Sequence, residues 1–302
     1  MSGAGETGSG GRARYSWGAD EHLFVEVSEE MSLPAYFKAM AIVTALRDRT
    51  PDGVLDVCPA NAAYQVRFDP DVLAPADLEK LLRGLEAEVG DAHDFKLETR
   101  IVEIPVLYDD PWTNETLTKF RDRHQDPDAT DLEYAARIND FPDVAAFIEA
   151  HAASPWLTSM VGFVAGLPFL YQLVPRERQL EVPKYVRPRT DTPKQTVGHG
   201  GCFGCIYSVR GAGGYQMFGI TPSPIYDPKQ ELPDFEDFVC FFEPGDIVKF
   251  EAIDRDRYDA LLAEAEAGRG SIRRRPVTFD FAAFSADSDA YNAELLEVLR
   301  AG

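Results

Sequence analysis

Long apolar runs are missing from this 302-residue chain. No stretch reaches the 18 or so apolar residues that a membrane-spanning helix needs, so no transmembrane segment is expected. Positive charge is also scarce: 30 Lys and Arg stand against 51 Asp and Glu, a formal net charge of −21. Nucleic acid and anionic membrane surfaces call for clustered cations, which excludes both as natural partners. The one basic run, Arg269–Arg275 (RGSIRRR), reads as a solvated or partner-facing segment. There are only four cysteines, and the CxxC of Cys202 and Cys205 has neither a second CxxC nor a His pair beside it, so zinc is not expected. On a strand, residues three apart point to opposite faces, which disfavours redox pairing too. The five histidines (His22, His93, His124, His151, His199) are scattered, none at metal-ligand spacing. Also missing are G-x-x-x-x-G-K-[ST], a post-strand G-x-G-x-x-G, the G-x-S-x-G elbow, and the Met-Lys-Met of biotin attachment. By itself the chain has no means of using ATP and carries no biotin. Met1–Arg14 is Gly/Ser-rich without an apolar h-region. It reads as a disordered lead rather than a signal peptide, which implies a cytoplasmic chain with reduced thiols.

What is present suits a globular protein. Apolar residues make up 45% of the chain, and its length suggests two domains. Glu21–Val27 alternates as a strand. Ser32 reads as an N-cap with Pro34 in the first turn of a helix running to Arg49. Strands are expected at Val54–Cys58 and Ala63–Phe68, a helix at Pro75–Val89 and a strand at Thr99–Leu107. Strand, helix, strand, strand, helix, strand is the ferredoxin-like βαββαβ pattern, so the fold class is α+β with such a domain over 15–110. A helical connector follows over 111–157, with helices at Asn114–His124, Asp131–Asn139 and Pro142–Ala152 capped at Thr113, Thr130 and Asp140 or Phe141. Gly, Pro and β-branched punctuation over 158–256 signals a β-barrel or sandwich, with Phe238–Phe242 and Asp246–Glu251 as closing strands. A helical tail covers 257–302, with helices at Arg257–Ala267 and Asp287–Arg300.

The chain is organised around Lys184–Thr221, KYVRPRTDTPKQTVGHGGCFGCIYSVRGAGGYQMFGIT. The pairs Gly200-Gly201 and Gly213-Gly214 flank a β-rich run, and Tyr215–Thr221 reads as another strand. Paired glycines mean tight turning or close backbone approach. Their bare N–H groups make a plausible cradle for an oxyanion or carboxylate; a small barrel whose corners need glycine is the other reading.

A family resemblance rests on several pieces together: Ile104–Tyr108 (IPVLY), Leu132–Asn139 (LEYAARIN), Gly162-Phe163 with Gly166, Pro168 and Tyr171, Lys184-Tyr185, Pro188-Arg189-Thr190, and Gly198, Gly200, Gly201, Cys205, Ile206, Tyr207, Gly213, Gly214, Tyr215, Gln216, Gly219, Thr221. Pro244-Gly245-Asp246 with Phe250, and the tail Phe281–Leu299, extend it. The chain resembles the carboxyltransferase half-domain of urea carboxylase. More distantly, it resembles the family that unites the Kip-inhibitor, the first subunit of allophanate hydrolase and the B subunit of 5-oxoprolinase. The resemblance implies a cyclophilin-like C-terminal barrel. It also implies a sister carboxyltransferase subunit that completes the active site, separate biotin carboxylase and biotin carrier subunits, and metal-free transfer of a carboxyl group from carboxybiotin to a small-molecule acceptor. The alternatives it carries are a subunit of a 5-oxoprolinase-type ATP-dependent lactamase and a Kip-inhibitor-like regulator.

The chain departs from the family pattern at Val186 (Asn in the family), Ile220 (Arg) and His199 (Ile). Two polar positions become apolar, which suggests a ketone-like acceptor in place of urea or an amide. Lys184 and Arg189 are the candidates for binding carboxylate or oxyanion charge. His199, an imidazole flanked by glycines, is the candidate base or oxyanion donor. Tyr185, Gly200, Gly201, Tyr207, Gly213, Gly214, Tyr215 and Gln216 are the candidates for substrate binding.

Overall fold

A computed structural model describes residues 13–301, so the expected N-terminal lead lies outside the described residues but for its last two. The chain is a mixture of helices and large sheets and divides into two compact units, one ending at Phe95 and the other beginning at Lys96.

In the first unit β1 (Arg14–Gly18), β2 (His22–Glu26), β3 (Val54–Ala60) and β4 (Ala63–Phe68) form an antiparallel sheet in the order β1-β2-β4-β3. Helices α1 (Leu33–Arg49) and α2 (Pro75–Val89) cover the face that carries Leu23, Val25, Tyr64, Val66 and Phe68. Ser32 caps α1 through its hydroxyl, which accepts from Ala35 N at 3.3 Å. The strand expected to close a βαββαβ set does not join this sheet; its place beside β2 is taken by β1. Nothing in RYSWG alternates strongly enough to announce a strand. It is held by side chains: the Arg83 guanidinium lies 4.0 Å from the Tyr15 ring, and Tyr15 donates to Glu86 Oε2 at 3.2 Å.

The second unit opens with β5 (Lys96–Tyr108), followed by α3 (Pro111–Lys119), α4 (Asp131–Ile138) and α5 (Val144–Ala153). The expected Thr130 cap is present as a full capping box: Thr130 Oγ1 accepts from Glu133 N at 3.1 Å and Glu133 Oε2 accepts from Thr130 N at 2.7 Å. The other two caps differ. Asp110 caps α3 ahead of Pro111, accepting from Trp112 N and Thr113 N at 2.9 Å each, and Asp143 caps α5 by accepting from Ala146 N at 2.8 Å.

Strands β6 (Pro155–Val161), β7 (Pro168–Gln172), β8 (Arg189–Thr192), β9 (Thr196–Gly200), β10 (Phe203–Ile206), β11 (Gly211–Gly213), β12 (Gln216–Ile220) and β13 (Ile247–Ala252) follow. After them come α6 (Arg255–Glu266), β14 (Arg274–Asp280), α7 (Phe281–Ala286) and α8 (Ser288–Arg300). The main sheet runs β12-β9-β10-β7-β6-β13-β5-β14, and β5 also pairs with β12 through Gly219↔Tyr108 and Ile220↔Leu107. Seven strands therefore close on themselves. The 13-residue β5 makes this possible by pairing β14 along its first half, β13 in parallel along its second, and β12 at its end. Val102, Ile104, Trp156, Leu170, Val197, Phe218, Val248 and Phe250 fill one core with Leu132, Ala135 and Phe147 from the helices.

Two expectations are corrected here. Phe238–Phe242 is not a strand: it contributes one isolated bridge, Tyr226↔Cys240. The tail is not all helix, because β14 includes the end of the basic run. Three of the run's four arginines are ion-paired, Arg269 with Glu264, Arg273 with Glu103 and Arg274 with Asp234.

The barrel seam yields a test. A Cβ on Gly219 would meet the Leu107 carbonyl oxygen at 2.5 Å and Tyr108 Cα at 2.9 Å, both backbone atoms that cannot yield; one on Gly211 would meet nothing within 4 Å. Gly219→Ala is expected to cost about 1–3 kcal/mol in urea unfolding, and Gly211→Ala under about 0.5 kcal/mol. Equal costs would refute the seam.

Candidate functional site

Alternation along β9 divides the sequence-derived candidates between two faces. Gly198 and Gly200 face one side: a Cβ on Gly200 would meet the Tyr215 ring at 2.5–2.8 Å, and one on Gly198 would meet the Gln216 carbonyl oxygen at 2.7 Å and the Tyr207 ring at 3.5 Å. Tyr207 packs likewise against Gly213, where a Cβ would lie 2.7 Å from ring carbons. Tyr207, Tyr215, Cys205 and Leu167 form one small cluster.

His199 points the other way, into the barrel. It is fully buried, with its ring centroid 5.7 Å from Trp156, 6.0 Å from Phe218 and 6.3 Å from His151. Its Nε2 faces the carbonyls of Leu180 at 3.0 Å and Gly201 at 3.1 Å, so that nitrogen carries the proton. Burial pushes the imidazole down to about 4. His151, with Nδ1 2.8 Å from the Tyr108 hydroxyl, is also pushed well down by burial. His199 is a core histidine by its surroundings, and the structure does not bring it together with Lys184 and Arg189.

In the glycine pairs, an amide and a carbonyl are engaged by the chain itself. Gly201 N donates to the Val182 carbonyl at 2.7 Å, and the Gly214 carbonyl accepts from Tyr185 N at 2.7 Å. Of the paired glycines only Gly201 has positive φ (65°); Gly200 and Gly213 make room for tyrosine rings, and a Cβ on Gly214 would make only ordinary contact with Pro188. Burial raises both Cys202 and Cys205, and neither sits beside a metal-ligating partner; among the described residues no group of three or more His, Cys, Asp or Glu is placed to hold a metal.

The remaining polar candidates converge on a residue that the sequence does not single out. Asp131, the first residue of α4, is 2% exposed. Its Oδ1 accepts from the Tyr185 hydroxyl at 2.6 Å, and its Oδ2 accepts from Met217 N at 2.6 Å. Burial raises this carboxyl, opposed by those two donors and by the charges of Arg189 and His124. His124 Nδ1 lies 2.7 Å from the Asp126 carbonyl oxygen and 2.9 Å from Asp126 N, while Nε2 donates to Gln216 Oε1 at 2.9 Å and lies 3.4 Å from Asp131 Oδ1. Gln216 in turn donates to the Pro183 carbonyl at 2.8 Å and to Gln125 Oε1 at 3.2 Å. An acid in the first turn of a helix ordinarily serves the helix dipole, which is why Asp131 gives no separate signal.

Arg189, fully buried on β8, lies with its guanidinium carbon 4.3 Å from the Tyr185 ring centroid, and its Nε donates to Thr192 Oγ1 at 3.3 Å. Its positive charge opposes the upward push of burial on the phenols of Tyr185 and Tyr207. Lys184 is exposed, its ammonium 5.1 Å from the Tyr215 ring centroid. Chemically this is a buried cluster of one guanidinium, three phenols and one committed acid, with Lys184 exposed beside it. The three family departures do not share it: Val186 is 70% exposed, Ile220 is buried in β12 and His199 faces the interior.

The second unit is thus a closed seven-stranded barrel with a buried guanidinium and glycine-seated tyrosines on one side. The chain belongs to the family described as the carboxyltransferase domain, subdomain C and D, whose pattern it matches over residues 13–235. It is 23% identical over 273 residues to urea amidolyase of Lachancea kluyveri, covering 89% of this chain but only 15% of that protein. It is 25% identical over 255 residues to the B subunit of 5-oxoprolinase from Bacillus subtilis, covering 82% of this chain and 95% of that one. The crystal structure of Kluyveromyces lactis urea carboxylase superposes on 96% of this chain and 26% of its own, with a TM-score of 0.78 at 21% identity, which shows a shared fold. No helix among the described residues is long and apolar enough to cross a membrane.

The buried imidazole gives a pH test. Between about 4 and 6.5 the unfolded chain binds the His199 proton and the folded chain does not. Its contribution to stability is therefore full above pH 6.5 and falls away as the pH drops towards 4. Carboxyls raised by burial, Asp131 among them, act in the opposite sense, so the informative quantity is a difference. From pH 7 to 4.5 the wild type should lose roughly 2 kcal/mol more than His199→Phe in urea unfolding. Parallel pH profiles would contradict the buried neutral imidazole.

Proposed function

We propose that this chain is one carboxyltransferase subunit of a biotin-dependent carboxylase, a ligase-type enzyme, inactive without a sister subunit that completes its site. The closed barrel is read as the cyclophilin-like barrel of that family, and the location as cytoplasmic. The observation that carries the reading is the buried Arg189 on the face it shares with Tyr185, Tyr207 and Asp131, with Lys184 exposed at its rim. Such donors suit the carboxylate of a carboxylated biotin delivered on a separate carrier, and so the residues fit that group. When bound, it would supply an activated carboxyl group.

This chain's own part is binding and orientation. Arg189 and Lys184 attract and hold negative charge, Tyr207 offers a hydroxyl, and the rings of Tyr185 and Tyr215 form apolar walls that exclude water. Asp131 fixes Tyr185 and, through it, the surface on which Arg189 rests. His199 is assigned to the barrel core, and no base is assigned to this chain. Phe163 and Val186, each 70% exposed, flank the segment contacts of this face: Val164 packs against the Tyr207 cluster and Val186 follows Tyr185. They suit an interface with the sister subunit, while the biotin carboxylase and carrier would be further subunits. The acceptor is a small molecule of ketone-like or amide-like type.

One observation favours a second reading. The chain covers 95% of a free-standing 5-oxoprolinase subunit but only 15% of urea amidolyase. A lactamase subunit that works with an ATP-using partner is therefore the rival, ahead of a Kip-inhibitor-like regulator.

Affinity purification of the tagged chain from its native cells separates the two. A biotinylated protein in the complex, with acceptor-dependent consumption of bicarbonate, supports the carboxylase; a complex that hydrolyses 5-oxoproline with ATP and holds no biotin refutes it. In the active complex Lys184→Ala should lower kcat/KM by about 10- to 100-fold, as expected for loss of one charged donor at developing negative charge. Unchanged kinetics would remove Lys184 from the site.

A further inference from the structure

Arg189 is the one guanidinium in the second unit that is fully buried without an anionic partner among the described residues. Nε has the Thr192 hydroxyl; Nη1 and Nη2 are both buried without a hydrogen bond of good geometry, and the groups beside them are the neutral phenol oxygens of Tyr185 and Tyr207. Asp131 attracts Arg189 from nearby, yet its two oxygens are taken by Tyr185 and Met217. A guanidinium withdrawn from water costs several kcal/mol unless its donors are matched. The Tyr185 ring, 4.3 Å away, returns part of that cost as a cation–π contact but brings no negative charge.

The geometry of the orphaned atoms narrows the ligand. Two terminal nitrogens on one planar fork match the two oxygens of a carboxylate. The Tyr207 hydroxyl accepts from Tyr215 N at 3.4 Å, which leaves its own hydrogen to donate. Lys184 adds a second, exposed positive charge by way of Tyr215. The nearby Asp131 carboxylate opposes any dianion, so a phosphate fits less well than a single negative charge.

We propose that Arg189 seats one monoanionic carboxylate group, held by Nη1 and Nη2 with the Tyr207 hydroxyl beside them. The proposal deepens the carboxyl-transfer reading and rests on it for treating this face as the site. The carboxylate is either that of the group being moved or one the acceptor itself carries.

The test is thermal unfolding of the full chain at constant ionic strength, with sodium chloride exchanged for acetate, bicarbonate or sulfate. Acetate or bicarbonate should raise the Tm saturably, by about 3 °C at ten times its Kd. A stronger bicarbonate effect points to the transferred group and a stronger acetate effect to the acceptor. Arg189→Met should abolish the shift, and Tyr207→Phe should weaken the affinity roughly tenfold. If Arg189→Met does not fold, Tyr207→Phe and Lys184→Ala carry the comparison: Tyr207→Phe must weaken binding more than the exposed Lys184→Ala does. A carboxylate effect no larger than that of sulfate or chloride, or one that survives in Arg189→Met or Tyr207→Phe, overturns the proposal. A null titration beside an intact carboxylation assay removes the Arg189 seat and leaves carboxyl transfer standing. A saturable titration in a complex without biotin removes carboxyl transfer and leaves the seat.

Discussion

Both oxygens of Asp131 are engaged by donors from different parts of the chain, and the candidate site depends on that pair of hydrogen bonds. One donor is the Tyr185 hydroxyl, in the segment leading to β8; the other is Met217 N, on β12. The carboxylate stands at the start of α4, whose N-terminal dipole and capping box favour negative charge there. A helix end, a barrel strand and an approach loop are thus joined at one buried group. Removing the carboxylate would strand a phenol and an amide together, so its loss would be felt in all three elements rather than in one contact. The ring it fixes is the one on which the Arg189 guanidinium lies. Fold and site share this constraint.

The barrel then sorts chemistry by face. On a strand neighbouring side chains point to opposite sides, so His199 and its flanking glycines cannot serve one pocket. The glycines belong with Tyr207 and Tyr215: a methyl group on Gly200 would collide with the Tyr215 ring, and one on Gly198 with the Gln216 carbonyl oxygen. The imidazole belongs with Trp156, Phe218 and His151, where burial keeps it neutral. Glycine clustering in the sequence is therefore a record of aromatic packing. The backbone amide of Gly201 is already taken by Val182, and the positively charged groups open to an anion on this face are Arg189 and Lys184.

Where the sequence is legible, a local rule governs the residues. Ser32 and Thr130 announce their helices because side-chain capping is a contact within four residues. Pro75–Val89 has an unbroken leucine stripe, and the helix keeps those bounds. Thr99–Leu107 is legible as a strand but not as a member of the second sheet, since partner choice depends on residues more than a hundred positions away, in β12 and β13. β1 and β14 lack a hydrophobic alternation to read: one is held by a cation over a ring and an acid, the other by the ladder to β5. At the site, Lys184, Tyr185, Arg189, Tyr207, Tyr215 and Gln216 are legible because they crowd into one stretch. Asp131 and His124 are not, because they reach it from a separate helix and loop.

An acidic chain with a net charge of −21 would be expected to surround any interior cation with carboxylates. It does so for Arg100, whose Nε and Nη2 each lie 2.8 Å from the oxygens of the buried Asp246. With 51 acidic residues to draw on, it does not do so for Arg189. The contrast separates two uses of the same side chain. Arg100 ties β5 to the turn before β13 and is matched within the chain, so it has nothing left to offer a ligand. Arg189 keeps two donors in a low-dielectric setting, where an incoming charge would be felt far more strongly than at the surface. An unmatched buried cation lowers the stability of the chain standing alone, and whatever neutralises it would return that stability on binding. The residue that weakens the isolated subunit is in this way the one best suited to bind an anion tightly once the subunit is at work.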